Sequence, residues 1–280
     1  MMYEYWLGKI RGLSGAKKRK LREYYGDARN IYYIEESRLK KDALLGEKEL
    51  DILCEARKQD GVEEDYRKLT EAGICFLPWF DEDYPRRLLE ILSPPYALYG
   101  KGRMPEDDRP SVAIVGARKC TPYGEQAALE FGEALARAGV QVVSGLARGI
   151  DGAAQRGALN GGGAVFGVLG CGVDICYPRE HIGLYTDTQR AGGLLSEYPP
   201  GTPPLPAHFP VRNRIISGLA DQVLVMEARE KSGSLITADM ALEQGRLETM
   251  AETASEISVE TRSCSSGPAP PGRSNRSRRV

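Results

Sequence analysis

From residue 111 onward the chain alternates between short apolar runs and longer stretches whose apolar residues recur at helical spacing. Val112-Ala113-Ile114-Val115 reads as a buried strand, and 122–138 as a helix with Ala127, Leu129, Phe131, Leu135 and Ala136 on its apolar positions. Val140-Gln141-Val142-Val143 is the next strand, followed by a helix over 151–159, a strand over 164–169, a helix over 212–219, a strand over 222–226 and a helix over 234–244. Strands separated by helices predict an α/β fold, a mostly parallel sheet with helices on both faces.

The rest of the chain has a different texture. Residues 1–74 are rich in charge and tyrosine, and the run from Ile10 to Leu21 reads as a glycine-bounded turn feeding a basic helix. Two readings of that turn stand side by side: a small helical domain with a solvated lysine face, or a helical hairpin offering backbone amides to a phosphate. Prolines at 78, 85, 94, 95, 105 and 110 make 78–110 an extended connector, expected to pack through Trp79, Phe80, Tyr96 and Tyr99. After Arg246 strand alternation stops, and 247–280, with its Ser, Pro and Arg-rich end, is expected to be a disordered tail. The expected units are therefore 1–74, 75–246 and 247–280.

Length and composition narrow the class. At 280 residues with 41% hydrophobic residues the chain fits a globular protein of two folded units. No apolar run approaches the roughly 18 residues of a membrane span, and the start lacks the order of a secretory signal, so a cytoplasmic location without membrane association is expected. Six cysteines form no Cys-x-x-Cys pair and only His181 and His208 could join them, so no metal and no cofactor are expected. With 38 basic and 39 acidic side chains, any nucleic-acid contact must come from a local patch.

Most of the 32 glycines lie between Gly116 and Gly245, many at predicted strand ends, where ligands bind in folds of this type. The loop at Gly116 carries Arg118 and Lys119 just before the Pro122 helix start; no full G-x-G-x-x-G is present, and a phosphate is expected there instead. Ser144, Gly145 and Arg148 repeat the logic at the next strand end, where Asp151 reads as a helix N-cap, with general base as the alternative. Cys171 lacks the signature of a nucleophile, and Arg179 adds charge to the same crevice. Arg212, Asn213 and Arg214 look like a grip on anions, and Lys231, Ser232, Gly233 and Ser234 supply an ammonium, hydroxyls and helix-start amides without Walker A spacing.

In this order, Ile114-Val115-Gly116-Ala117-Arg118, Ser144 to Asp151, Leu169 to Pro178, Ser196-Glu197-Tyr198-Pro199, Phe209 to Leu219 and Ser232 to Ala238 resemble the DNA-processing protein A family, also called DprA or Smf. The likeness is strong over about 75–246, and 83–102 matches the family's lead-in to its Rossmann-like domain; the N-terminal region is similar to its small helix-hairpin-helix-type domain. The resemblance implies a Rossmann-like mostly parallel sheet with a small N-terminal helical domain. It also implies a non-enzymatic protein that binds and protects single-stranded DNA in natural transformation and loads RecA recombinase onto it, as a homodimer. Arg118 matches the arginine of the family's basic pocket and Arg179 a basic residue after its Tyr-Pro motif, with Arg212 and Arg214 as pocket lining. Two departures are visible. Gln155 stands where many members have histidine, and after Gly245-Arg246 the family's last sheet strand is expected to be missing. The readings from other classes are a phosphoribohydrolase-like nucleotide-processing enzyme, whose Pro-Gly-Gly-x-Gly-Thr loop this chain lacks, and a non-catalytic nucleotide-sensing domain.

Overall fold

A computed structural model of the chain describes residues 1–59, 61–227 and 233–251. Six helices come first: α1 (Met2–Lys9), α2 (Gly15–Tyr25), α3 (Ala28–Tyr33), α4 (Glu36–Asp42), α5 (Glu47–Arg57) and α6 (Val62–Glu71). Two strands follow, β1 (Cys75–Pro78) and β2 (Ala97–Gly102). Then come β3 (Ser111–Gly116), α7 (Pro122–Arg137), β4 (Gln141–Ser144), α8 (Ile150–Asn160), β5 (Val165–Val168), α9 (Ile182–Ala191) and β6 (Gly193–Ser196). The described chain closes with α10 (His208–Gly218), β7 (Gln222–Met226), α11 (Gly233–Glu243) and β8 (Leu247–Ala251).

These strands form one sheet in the order β1-β2-β6-β5-β4-β3-β7-β8, antiparallel at β1, β2 and β6 and parallel elsewhere. The crossovers from β3 run one way along the sheet and those from β7 the other. Chain order therefore reverses between these two neighbours, and the crevice at their carboxyl ends is where such sheets hold ligands. Ala113, Ile114 and Val115 are buried because the central strands are covered on both faces, which is why β3 reads as a continuous apolar run. Helix α7 starts where Thr121 Oγ1 accepts the Gly124 amide at 3.1 Å, with Pro122 in the first turn. It packs closely on α8, since a Cβ at Gly132 would strike the Ala154 carbonyl and one at Gly157 the Leu129 carbonyl.

Several elements differ from the sequence reading. The connector at 78–110 contains β2, and α9 and β6 lie in a stretch to which the sequence pattern assigns no element. Helix α10 begins at His208, one turn before the expected 212, because a proline in a first turn removes an amide that has no helical partner anyway. The expected loss of the last strand is corrected: Leu247–Ala251 pairs in parallel with β7, in the register Gln222 to Leu247 through Met226 to Ala251. The rest of the expected tail, 252–280, lies outside the described residues.

The N-terminal helices share a core with the sheet edge. Trp6 and Leu7 are buried, Trp6 Nε1 donates to the Ala56 carbonyl at 3.1 Å, and the Tyr5 ring meets Phe76 of β1 at 5.6 Å and Tyr99 of β2 at 6.2 Å. The expected solvated lysine face on α2 is only partly present. Lys18 is buried, Arg19 donates to the Pro95 carbonyl at 3.0 Å and Arg22 to Glu4 at 3.0 Å, so these three turn inward. Among the described residues no helix is long and apolar enough to cross a membrane.

Candidate nucleic-acid interface

Loops from three parallel strands converge beyond the sheet. At Gly116, which ends β3, an added Cβ would meet the Met226 carbonyl and lie 2.6 Å from Ile150 Cγ1, so only glycine lets the loop turn here. The following residues cross over the start of α8, where Gly149 takes a φ of +72° beneath Ala117 and Arg118. Leu146, after β4, also sits in the left-handed region at φ 51°. Its amide donates to Gln155 Oε1 at 3.0 Å, while Gln155 Nε2 donates to the Phe166 carbonyl at 3.0 Å. Gln155 thus ties the loop after β4 to β5, a structural task in the position that drew notice in the sequence.

Between these loops and α10 lies a cavity of about 590 Å³. Arg212 forms part of its floor and is only 3% exposed. Its Nη1 donates to the Gly145 carbonyl at 3.0 Å and to the Val168 carbonyl, whereas its buried Nε has no partner among the described residues. Burial pushes this guanidinium down to about 10. Asp151 is buried beside it, with Oδ2 accepting the Gly145 amide at 3.2 Å. Burial raises its carboxyl above the ordinary value, against the opposing pull of Arg212 and the Gly116 and Gly145 amides. The N-cap reading of Asp151 is corrected: Gly149 occupies that position, and the carboxylate turns back to the β4 loop.

The wall is aromatic and cationic. The Arg118 guanidinium lies 5.4 Å from the Phe209 ring centroid, Arg212 sits 6.0 Å from the same ring, and Tyr177 meets Phe209 at 5.5 Å. Cations resting on a ring face combine a charge for phosphates with a flat apolar surface for bases. Phe209 and Tyr177 were not among the site residues expected from sequence; the available signal was the spacing of Phe209 three residues before Arg212, one helical turn along α10. Thr237 of α11 also lines the cavity and was missed.

The structure brings Gly116, Arg118, Lys119, Arg212 and Asn213 together on this cavity. Ser144 and Gly145 lie behind its floor: Ser144 is buried with Oγ donating to the Ile114 carbonyl at 2.5 Å, and a Cβ at Gly145 would fall 2.6 Å from the Arg212 nitrogens. Arg148 is exposed and paired with Glu180, and Arg179 sits on an exposed turn just past Tyr177, outside the lining. Arg214 is corrected to a structural residue. Its Nη2 donates to both Glu197 oxygens at 2.8 and 2.7 Å and its Nε to the Ser93 carbonyl at 2.9 Å, which pins the lead-in to α10. Lys231 and Ser232 lie outside the described residues, while Gly233 and Ser234 open α11. The expected phosphate site at the start of α7 is also corrected, because Glu227 already accepts from the Thr121 amide at 2.8 and 2.9 Å and from its hydroxyl at 3.0 Å. The Cys171 thiol is buried and pushed up to about 11, the state of a structural cysteine.

Residues 75–266 match the sequence model of the DNA recombination-mediator protein A family. The chain is 41% identical over 204 residues to DNA processing protein DprA of Bacillus subtilis, covering 70% of this chain and 69% of the relative. It is 45% identical over 189 residues to protein Smf of Escherichia coli, covering 64% of this chain and 50% of the relative. The chain thus spans between half and about two thirds of these relatives' length. Among solved structures it resembles DNA processing protein A of Streptococcus pneumoniae, with a TM-score of 0.79 at 32% identity over 92% of this chain and 88% of the other. DNA processing protein A of Helicobacter pylori, whose structure concerns its single-stranded DNA binding mode, aligns with a TM-score of 0.60 at 30% identity over 65% of this chain and 82% of the other.

Proposed function

The chain belongs to the DNA recombination-mediator protein A family, and on that premise we propose that it binds single-stranded DNA without sequence preference through the cavity beyond β3 and β7. The observation that carries this reading is Arg212, a buried guanidinium on the cavity floor whose Nε has no partner among the described residues, beneath the exposed pair Arg118 and Lys119. Asp151 is the anion buried beside Arg212 but leaves the Arg212 Nε without a hydrogen bond among the described residues, and a phosphate entering the cavity adds a second anion that also meets the exposed Arg118 and Lys119. Phe209 and Tyr177 then offer ring faces to splayed bases, which every base can use. Phosphates give affinity and rings give preference for an unpaired strand, whose bases are free to stack.

On this reading the protein is a binder with no covalent step of its own, protecting the strand and passing it to RecA recombinase during natural transformation, as a homodimer. The loading step and the dimer are supported by family membership alone. Reversing charge at Arg118 and Lys119 together tests the pocket. The doubly substituted protein, checked for an unchanged melting temperature, is expected to lose single-strand binding at moderate salt; unchanged affinity would show that the strand binds elsewhere.

A further inference from the structure

Lys18 is a buried charge that the DNA pocket does not use. It is 7% exposed on α2, and among the described residues its ammonium makes one hydrogen bond, from Nζ to the Gly8 carbonyl at 2.6 Å. Glu197 is the carboxylate that favours its charge, but both Glu197 oxygens are taken by Arg214. Burial wins, and the ammonium is pushed down to about 8.

This side chain lines a second cavity, of about 430 Å³, between the N-terminal helices and the ends of β2 and β6. Arg11 lines it as well, with Nη2 donating to Thr202 Oγ1 at 2.9 Å. Tyr99 is a third lining residue, and its buried hydroxyl has no hydrogen-bond partner among the described residues. The turn at Gly12, with φ +89°, brings Ser14 and Gly15 at the start of α2 to the same wall, so the positive end of the helix faces inward. Glu197 is the carboxylate on the lining, and its charge is already neutralised by Arg214. Helix α10 divides the two cavities: Phe209 and Arg212 face the first, His208 and Val211 the second.

We propose that this second cavity is an anion site that holds a phosphate group between Lys18 and Arg11. Two sources share that chemistry: a later phosphate of a strand seated in the first pocket, which rests on the function proposed above, or a free phosphate-bearing small molecule, which does not.

Inorganic phosphate is the first probe, titrated calorimetrically into the full chain carrying Arg118→Glu, which disables the first pocket. That protein is expected to keep a phosphate site, and adding Lys18→Met or Arg11→Gln is expected to weaken it about tenfold, the loss of one charge-assisted hydrogen bond. Arg11 is exposed, so its substitution tests the site even if the Lys18 variant does not fold. No phosphate binding in the Arg118→Glu protein, or binding unchanged by Arg11→Gln, overturns the proposal. The second arm uses Arg11→Gln alone with a trinucleotide and a twelve-nucleotide single strand. Weaker binding of the longer strand only identifies DNA as the source, and unchanged binding of both strands, with phosphate binding weakened, identifies a free small molecule. Failure of the first pocket would appear separately, as single-strand affinity insensitive to Arg118→Glu.

Discussion

Arg118 and Phe209 lie in contact but are assigned different tasks, and replacing each separately should split the binding energy into two distinguishable parts. Arg118→Gln removes one exposed cation. A hydrogen bond to a charged group contributes about 1.5 kcal/mol at its low end, the end appropriate to an exposed side chain, so affinity should fall about tenfold at low salt. Single-strand affinity varies with salt by a slope of about 0.7 per neutralised phosphate, so a fourfold rise in salt weakens each contact by about 2.6-fold. The deficit of the Arg118→Gln protein should therefore shrink by about that factor between 50 and 200 mM salt, values chosen for the assay. Phe209→Leu keeps an apolar side chain on α10 but removes the ring that lies 5.5 Å from Tyr177 and 5.4 Å from the Arg118 guanidinium. It should cost about 1–3 kcal/mol at every salt concentration and leave the slope unaltered, because stacking releases no counter-ions. Fluorescence anisotropy with a labelled single strand at four salt concentrations reads both quantities. Parallel plots for wild type and Arg118→Gln, or a changed slope for Phe209→Leu, would refute this division of labour.

Further expectations follow from the packing. Gly145→Ala places a methyl 2.6 Å from both Arg212 terminal nitrogens and 2.7 Å from Asp151 Oδ2, so the melting temperature should fall, with a loss of about 1–3 kcal/mol by overpacking; an unaltered melt would mean the floor of the pocket is loose. Arg214→Leu should lower stability by breaking the bidentate contact with Glu197 while leaving single-strand affinity and its salt slope intact, and a reduced slope would return Arg214 to the DNA-binding set. Lys18 has a folded value of about 8, below its ordinary 10.5, so the unfolded chain holds the extra proton between those values. Its burial cost is thus present in full below pH 8 and fades as pH rises, so stability should gain on the order of 2 kcal/mol from this group between about pH 8 and pH 10. Urea melts of wild type and Lys18→Met across that range should show the gain in the wild type only; identical pH trends would contradict it.

Much of the parallel sheet was legible because its strands are buried on both faces. Runs such as Val112 to Val115 and Gln222 to Met226 carry no ambiguity of face, and Thr121-Pro122 marks a helix start by the chemistry of its own atoms. β6 was harder to see, since Gly193-Leu194-Leu195-Ser196 is short and gains its meaning only from pairing with β2 and β5. The same holds for β8, where Leu247 to Ala251 shows no alternation and is defined by its partner β7. Within the site, arginine identity was visible but arginine direction was not. Arg212 and Arg214 lie two apart on α10 and so face different sides, one into the cavity and the other to Glu197. Glu227 shows the same limit: its occupation of the α7 start depends on a residue 106 positions from Thr121. The aromatic wall escaped notice because Tyr177 and Phe209 are joined by the sheet's topology and not by any local pattern.

The most direct test of the central claim is equilibrium binding of the 280-residue chain to single- and double-stranded oligonucleotides of matched length across a salt series. The account predicts tighter binding to the single strand, with affinity for it falling as salt rises and the same affinity for different base compositions. A folded protein that binds neither form, or binds both equally, would contradict it.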